Sequence, residues 1–210
     1  MILQHVYLVV LWILFCILHS LLAATWWKLR LSKLLGRSFR FYRFYYSIFA
    51  TFNLVFLLYF LVTMQSPQIF KLSLFVKLAA SISGISGVLI MLLCVKKYFS
   101  VVTGIKAFSA EKDSTSVLQM DGLHSYTRHP LYFGTLLFIW NLFALFPSLS
   151  NLISCGMISI YTLAGIHIEE RKLIAEFGEA YKNYCRNVPM LIPGFFLRRS
   201  KVRQSFSETV

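Results

Sequence analysis

The chain has 210 residues, of which 58% are hydrophobic and only 14% charged, against roughly 45–50% and about 25% in soluble domains. With a mean hydropathy of +0.68, no soluble fold of this size has the interior to hide so much apolar surface. The composition therefore excludes a soluble enzyme, a disordered chain and a fibrous repeat, and predicts an all-α integral membrane protein.

The net charge is +13, carried by 21 Lys and Arg. Six of these fall in 28–43, four in 96–112, one is Arg128 and eight lie in 171–203, leaving only Lys71 and Lys77 elsewhere. Basic stretches alternate with apolar ones, as positive-inside topology requires. No motif that reads nucleic acid accompanies the charge. The expected partner of the basic face is anionic lipid, with no nucleic acid and no obligate protein partner.

The first apolar run covers about Val6 to Trp27, with no Lys or Arg before Lys28. It reads as a retained helix with its N-terminus outside rather than a cleaved signal. The second run, about Phe44 to Met64, follows the basic loop, and a turn at Ser66-Pro67 leads to the third, about Leu72 to Val95. Within the third, Ser83-Gly84-Ile-Ser86-Gly87 has the composition of a close helix-packing face rather than of a phosphate loop. Residues 96–127 form a polar loop. Leu131–Phe146 and Leu152–Ile168 are short apolar runs joined by Pro147-Ser-Leu-Ser150, which predicts a tight helical hairpin close to the minimum crossing length. Five spans then place 28–43, 96–127 and the C-terminal tail on one, cytoplasmic, side.

After the fifth span, Leu173, Ile174, Phe177, Tyr181 and Tyr184 recur near every third or fourth position. This predicts a short helix continuing from the span and lying against the membrane face. Residues 195–210 are polar and basic and are expected to be disordered. The chain thus divides into three N-terminal helices (1–95), a loop (96–127), a helical hairpin with its tail helix (128–194) and the end (195–210). Cys16, Cys94, Cys155 and Cys185 show no paired spacing and read as small buried hydrophobes.

Two clusters can carry chemistry. In Asp121-Gly122-Leu-His124-Ser-Tyr-Thr-Arg128-His129-Pro130-Leu-Tyr132, the Asp-Gly pair signals a turn and Pro130 suits the first position of a helix. Arg128 and His129 then stand at a helix N-terminus, where unpaired N–H groups and dipole charge favour a carboxylate or phosphate. Tyr132 shares the face of His129. The alternative is that Arg128 is an interfacial anchor and His129 a cap.

The second cluster is His167-Ile-Glu169-Glu170-Arg171. Carboxylates directly after an apolar run are costly unless paired. Successive helical residues lie about 100° apart, so the two glutamates cannot face one pocket; one meets Arg128 or a ligand and the other faces solvent. A purely structural pair with Arg128 and Arg171 is the competing reading. His167 and Glu170 lack further convergent ligands, so no metal site is expected. His19-Ser20, a polar pair inside the first span, reads either as a helix-packing hydrogen bond or as lining the same cavity as the two clusters.

Gly122, Arg128-His129-Pro130, Tyr132, Glu169-Glu170, Glu176-Phe177-Gly178, Tyr181, Tyr184 and Pro193 together resemble the C-terminal signature of the integral-membrane methyltransferases, the isoprenylcysteine carboxyl and phospholipid methyltransferases. Leu18-His19-Ser20-Leu-Leu-Ala23 and Tyr42-Arg43-Phe44-Tyr45 are similar to the branch containing nurim, NnrU and the bacterial methanethiol S-methyltransferases. The resemblance implies S-adenosyl-L-methionine bound at the cytoplasmic ends of the last two helices. It implies a site of Gly122, His124, Arg128, His129, Pro130, Tyr132, Glu169 and Glu170, with Arg128 and Glu170 catalytic, in a bacterial inner membrane. His124 departs from the family, which often has Tyr there. The implied acceptor is a small thiol or another lipophilic molecule, or else a prenylcysteine carboxylate. Tyr184-Cys-Arg-Asn-Val-Pro189 is also similar to membrane sterol reductases, and nurim-like members imply a third, non-enzymatic possibility.

Overall fold

The computed structural model describes residues 2–103, 118 and 120–194. Seven α-helices account for most of them: α1 (Ile2–Ala23), α2 (Thr25–Leu35), α3 (Tyr42–Thr63), α4 (Leu74–Thr103), α5 (Pro130–Leu145), α6 (Leu149–Phe177) and α7 (Glu179–Asn187), with 3₁₀ turns at Gly36–Phe41 and Gly122–Ser125. The expected tail at 195–210 and most of the loop at 96–127 lie outside the described residues.

The first apolar run does not continue to Trp27. Ala24 is extended (φ −65°, ψ 137°) and a new helix starts at Thr25. Lys28, Arg30 and Lys33 interleave with Trp26, Leu29 and Leu34, the pattern of a helix lying in an interface. The Arg30 guanidinium sits 5.3 Å from the Trp26 ring one turn earlier, worth about 0.5–1 kcal/mol at an exposed site. What the sequence offered as a loop at 28–43 is therefore helix and 3₁₀ turn.

By length and composition, α1, the α2–α3 segment, α4 and α6 can each cross a bilayer, and α5 is a shorter apolar helix. α6 begins at Leu149, not Leu152, because the Ser148 side chain caps it by accepting from Asn151 N–H at 3.2 Å. It then runs 29 residues, about 43 Å, past the apolar run into the helical continuation that the tail's periodicity predicts. It stops at Gly178, whose φ of 55° lies in the region that glycine tolerates best.

The expected α5–α6 hairpin forms, with Trp140 Nε1 donating to Ser159 Oγ at 3.0 Å, but the most extensive helix pairing is that of α4 with α5. There the glycine string works as packing: a Cβ on Gly87 would lie 2.8 Å from the Gly134 carbonyl oxygen, and one on Gly134 would lie 2.9 Å from that of Gly87. The antiparallel seam is tied by Asn141 Nδ2 donating to Ser83 Oγ at 3.1 Å. At the other side, Leu8, Trp12, Leu57 and Met64 form a core that joins α1 and α3 to α6. Trp12 Nε1 donates to Ser154 Oγ at 2.9 Å. At the end remote from the basic residues, Ser66 Oγ accepts from Ser150 N–H at 2.9 Å and pairs with His5 Nε2 at 3.1 Å, closing the bundle there.

Candidate active site

The site lies at the basic end of the bundle, where α5 starts and α6 leaves its apolar stretch. Pro130 occupies the first turn of α5, as the sequence predicted. The irregular segment before it, 126–129, is strapped to the chain after α7. Arg128 N–H donates to the Pro189 carbonyl at 2.9 Å, His129 N–H to that of Met190 at 3.2 Å, and Gly194 N–H to that of Tyr126 at 3.0 Å. Thr127 Oγ1, on a residue 2% exposed, stands 3.1 and 2.9 Å from the Met190 and Leu191 carbonyls. This strap fixes the direction in which Arg128 and His129 leave the backbone.

Arg128 Nε donates to Glu170 Oε1 at 2.7 Å, and its Nη1 donates to the Cys185 and Val188 carbonyls at 3.0 and 2.7 Å. One guanidinium thus ties α5, α6 and α7 together. The side chains of the pair are 10% and 17% exposed, so neither charge is well solvated and each depends on the other. His129 Nε2 lies 3.2 Å from the same Glu170 oxygen, and Tyr181 Oη donates to it at 3.4 Å. Glu169 points elsewhere: its Oε2 is 3.9 Å from His129 Nδ1 on a side chain 47% exposed, and it is hydrogen-bonded by Tyr132. The helical offset resolves the two glutamates as expected: Glu170 is fastened inward and Glu169 faces open space.

Beside this network is a cavity of about 370 Å³, whose walls include His124, Arg128, His129, Tyr132, Glu169 and Phe177. Glu170 stands behind the wall rather than in it. Gly122, with a φ of 67°, opens the 3₁₀ turn and does not line the cavity, and Pro130 does. His124 also holds its place through its carbonyl, which accepts from Tyr184 Oη at 2.6 Å. Burial, aided by the nearby Glu170 carboxylate, pushes the Tyr181 phenol well above its usual range, so it stays a donor. Burial likewise pushes the Cys185 thiol up, which keeps it protonated and chemically quiet.

Sequence reasoning missed three contributors. Thr127 gave no signal, and the 188–194 strap entered only through the resemblances that include Pro189 and Pro193, because the holding role of both exists only once distant segments meet. The third is Tyr161, a polar aromatic inside an apolar run, whose Oη pairs with Ser20 Oγ at 3.0 Å. His19 Nδ1 in turn lies 3.2 Å from Tyr46 Oη. The His19-Ser20 pair makes the expected interhelical hydrogen bonds, but the cavity it lines is not that of Arg128 and His129. That cavity is a second one, about 1300 Å³ between α1 and α6, sharing Tyr132 and Glu169 with the first. Of the four cysteines expected to be buried, Cys94 and Cys155 are, whereas Cys16 and Cys185 are only partly so. Among the described residues, no three His, Cys, Asp or Glu side chains converge as metal ligands.

Several known proteins are similar to part of the chain. The chain is 39% identical over 84 residues to a methanethiol S-methyltransferase of Crocosphaera subtropica, covering 40% of this chain and 32% of that protein. It is 37% identical over 101 residues to methanethiol S-methyltransferase 2 of Bradyrhizobium diazoefficiens, covering 48% and 38%. It is 31% identical over 112 residues to protein-S-isoprenylcysteine O-methyltransferase of Schizosaccharomyces pombe, covering 48% and 46%. The matches thus span between a third and a half of these relatives. No solved structure matches. The relatives carry the methyltransferase names that the two clusters implied. A family description matches residues 4–188, nearly the whole helical bundle, and by that match the chain belongs to the family described as Protein of unknown function (DUF1295).

Proposed function

We propose that the protein is an S-adenosyl-L-methionine-dependent methyltransferase of a bacterial inner membrane, with the basic end of the bundle cytoplasmic and the N-terminus outside. Its acceptor is a small thiol or another lipophilic molecule. The observation that carries this reading is the cavity of about 370 Å³ walled by His129, Arg128, Glu169 and aromatic rings. Its volume falls in the range of small-molecule sites, and its mostly apolar lining carries a few convergent polar groups.

The residues present fit the donor. Tyr132, Phe177, Tyr181 and Tyr184 supply flat apolar walls for a purine, Glu169 suits an ammonium or ribose hydroxyls, and the N-terminus of α5 with Arg128 and His129 suits a carboxylate. When bound, the donor supplies an electrophilic methyl group on a sulfonium. The protein's task is to align acceptor and methyl and to exclude water. Arg128 and Glu170 act by holding α5, α6 and the strap in register, so that Tyr132 and Glu169 face the reacting centre. The basic residues around this end attract anionic lipid and seat it at the bilayer surface.

A second reading, methylation of a prenylcysteine carboxylate, is supported by the similarity to the Schizosaccharomyces pombe enzyme. Calorimetric titration of S-adenosyl-L-methionine into the detergent-purified protein, with NADPH as control, tests the main reading. Saturable binding of the former alone is expected; binding of NADPH alone, or of neither to folded protein, would overturn it.

A further inference from the structure

Three cations from three helices converge at the basic end of the bundle, and none of them is neutralised. Lys28 stands on α2, Arg43 in the first turn of α3 and Lys172 on α6, all exposed. The charges of Arg43 and Lys172 both bear on Lys28, and like charges so placed repel. Among the described residues none of the three is paired with a carboxylate. Glu170 and Glu179 are taken by Arg128 and Lys182, and Glu169, one turn before Lys172, stands with His129. The chain itself offers little remedy, since 24–43 holds six Lys and Arg and no Asp or Glu. A surplus of this kind is relieved by an anion from outside the protein.

The surroundings say which anion. Thr25, Lys28 and Leu29 share one face of α2, and Thr25, Trp26 and Leu29 line the larger cavity together with Lys172. Trp26, Leu29 and Ile168 are 50%, 59% and 56% exposed, so the cations border bare apolar surface. The Trp26 ring under the Arg30 guanidinium sets α2 at the level where headgroups meet acyl chains. A soluble anion answers the charge alone; a phospholipid answers both the charge and the apolar surface.

We propose that Lys28, Arg43 and Lys172 form a discrete site for the phosphodiester of one anionic phospholipid, whose acyl chains lie against Trp26, Leu29 and Ile168. This goes beyond the general attraction of a basic face for anionic lipid, because it assigns one molecule to three residues, and it stands independently of the methyltransferase reading. The two ammonium groups and the guanidinium donate to the phosphate oxygens, and the Thr25 hydroxyl adds a neutral donor. A zwitterionic lipid brings the same phosphodiester together with a cation that the cluster repels, so net headgroup charge decides between lipids.

The test uses the full chain, delipidated in non-ionic detergent, and native mass spectrometry to count and titrate bound lipid. The probes are phosphatidylglycerol, phosphatidylcholine and glycerophosphoglycerol, the last being the anionic headgroup without its chains. One phosphatidylglycerol is expected to bind at least tenfold more tightly than phosphatidylcholine, and glycerophosphoglycerol far more weakly than either. Lys28→Gln, Arg43→Gln and Lys172→Gln should each weaken phosphatidylglycerol about fivefold, the contribution of one cation at a membrane surface. Lys172→Arg should restore it to within twofold. Lys33→Gln on the same helix and Arg186→Gln on α7 remove equal charge elsewhere and should also stay within twofold. The three side chains are exposed, so the variants should keep the wild-type melting temperature; were one lost to misfolding, the other two still decide. Equal affinity for the two lipids, or equal losses in the Lys33 and Arg186 variants, would reduce the site to diffuse attraction and overturn it. Glycerophosphoglycerol binding as tightly as the intact lipid would overturn a phospholipid as the occupant.

Discussion

Glycines sit on two facing helix pairs, with opposite consequences. On the α4–α5 seam, Gly87 and Gly134 face each other so closely that either Cβ would lie under 3 Å from a carbonyl oxygen of the other. On the α1–α6 side, Gly165 faces open space and the helices enclose a groove. In a bilayer there is little hydrophobic drive between helices, so close backbone approach and interhelical hydrogen bonds decide which pairs lock. The seam has both, through the glycines and Asn141–Ser83. α1 and α6 have the Trp12–Ser154 and Ser20–Tyr161 bonds but no facing glycines, and they leave a groove between them. A small residue therefore means contact in one place and vacancy in the other, and the seam is the rigid half against which the site is built.

The largest expected effect breaks that contrast directly. Gly87→Val should cost about 2–3 kcal/mol by overpacking the seam, whereas Gly165→Ala should stay within about 0.5 kcal/mol or stabilise by reducing backbone freedom. Thermal unfolding in detergent checks both, and equal losses would sink the distinction between seam and groove.

Next, Arg128→Ala strands the Glu170 carboxylate and two carbonyls, costing about 2–3 kcal/mol and abolishing donor binding by calorimetry. Arg128→Lys should recover little, since an ammonium cannot reach Glu170, Cys185 and Val188 together. Wild-type affinity in the alanine variant would remove Arg128 from the site.

The glutamates sharpen the comparison further. Glu170→Gln should lower stability and donor affinity together, while Glu169→Gln should lower affinity and turnover with a stability change under about 0.5 kcal/mol. Matching thermal shifts for the two would contradict their separate roles. The smallest effect concerns Cys185. Because burial raises its thiol above the ordinary value, iodoacetamide should alkylate it more slowly than free cysteine at pH 8. The rate should climb as the pH is raised further, as mass spectrometry would follow.

Much of this was legible in the residues themselves. Apolar runs separated by basic stretches predict helices in a membrane, because a backbone in hydrocarbon must satisfy its own hydrogen bonds. Pro130 marked the start of α5. Arg128, His129 and the glutamate pair stood out because charge beside an apolar run is costly without a partner. The approximate 100° step between Glu169 and Glu170 assigned them different directions before any coordinates. The helix boundaries were less legible: the helix continuing past the fifth span breaks at Gly178 into α6 and α7, and the segment after Ala23 became an interfacial helix rather than a loop.

Which glutamate faces inward, which helices lock and where a ligand fits were decided only by tertiary structure. The sequence states that Arg128 needs a carboxylate; folding brings Glu170, not Glu169, to 2.7 Å and adds the Cys185 and Val188 carbonyls. It states that Gly87 is small, and only the arrival of Gly134 makes smallness necessary. Pro189 and Pro193 mark the 188–194 stretch as part of a signature, but nothing local says that it straps Arg128 and His129, and the groove beside Gly165 has no local mark. Each exists because segments dozens of residues apart meet, and a contact of that kind is a property of the packed bundle rather than of any stretch of chain.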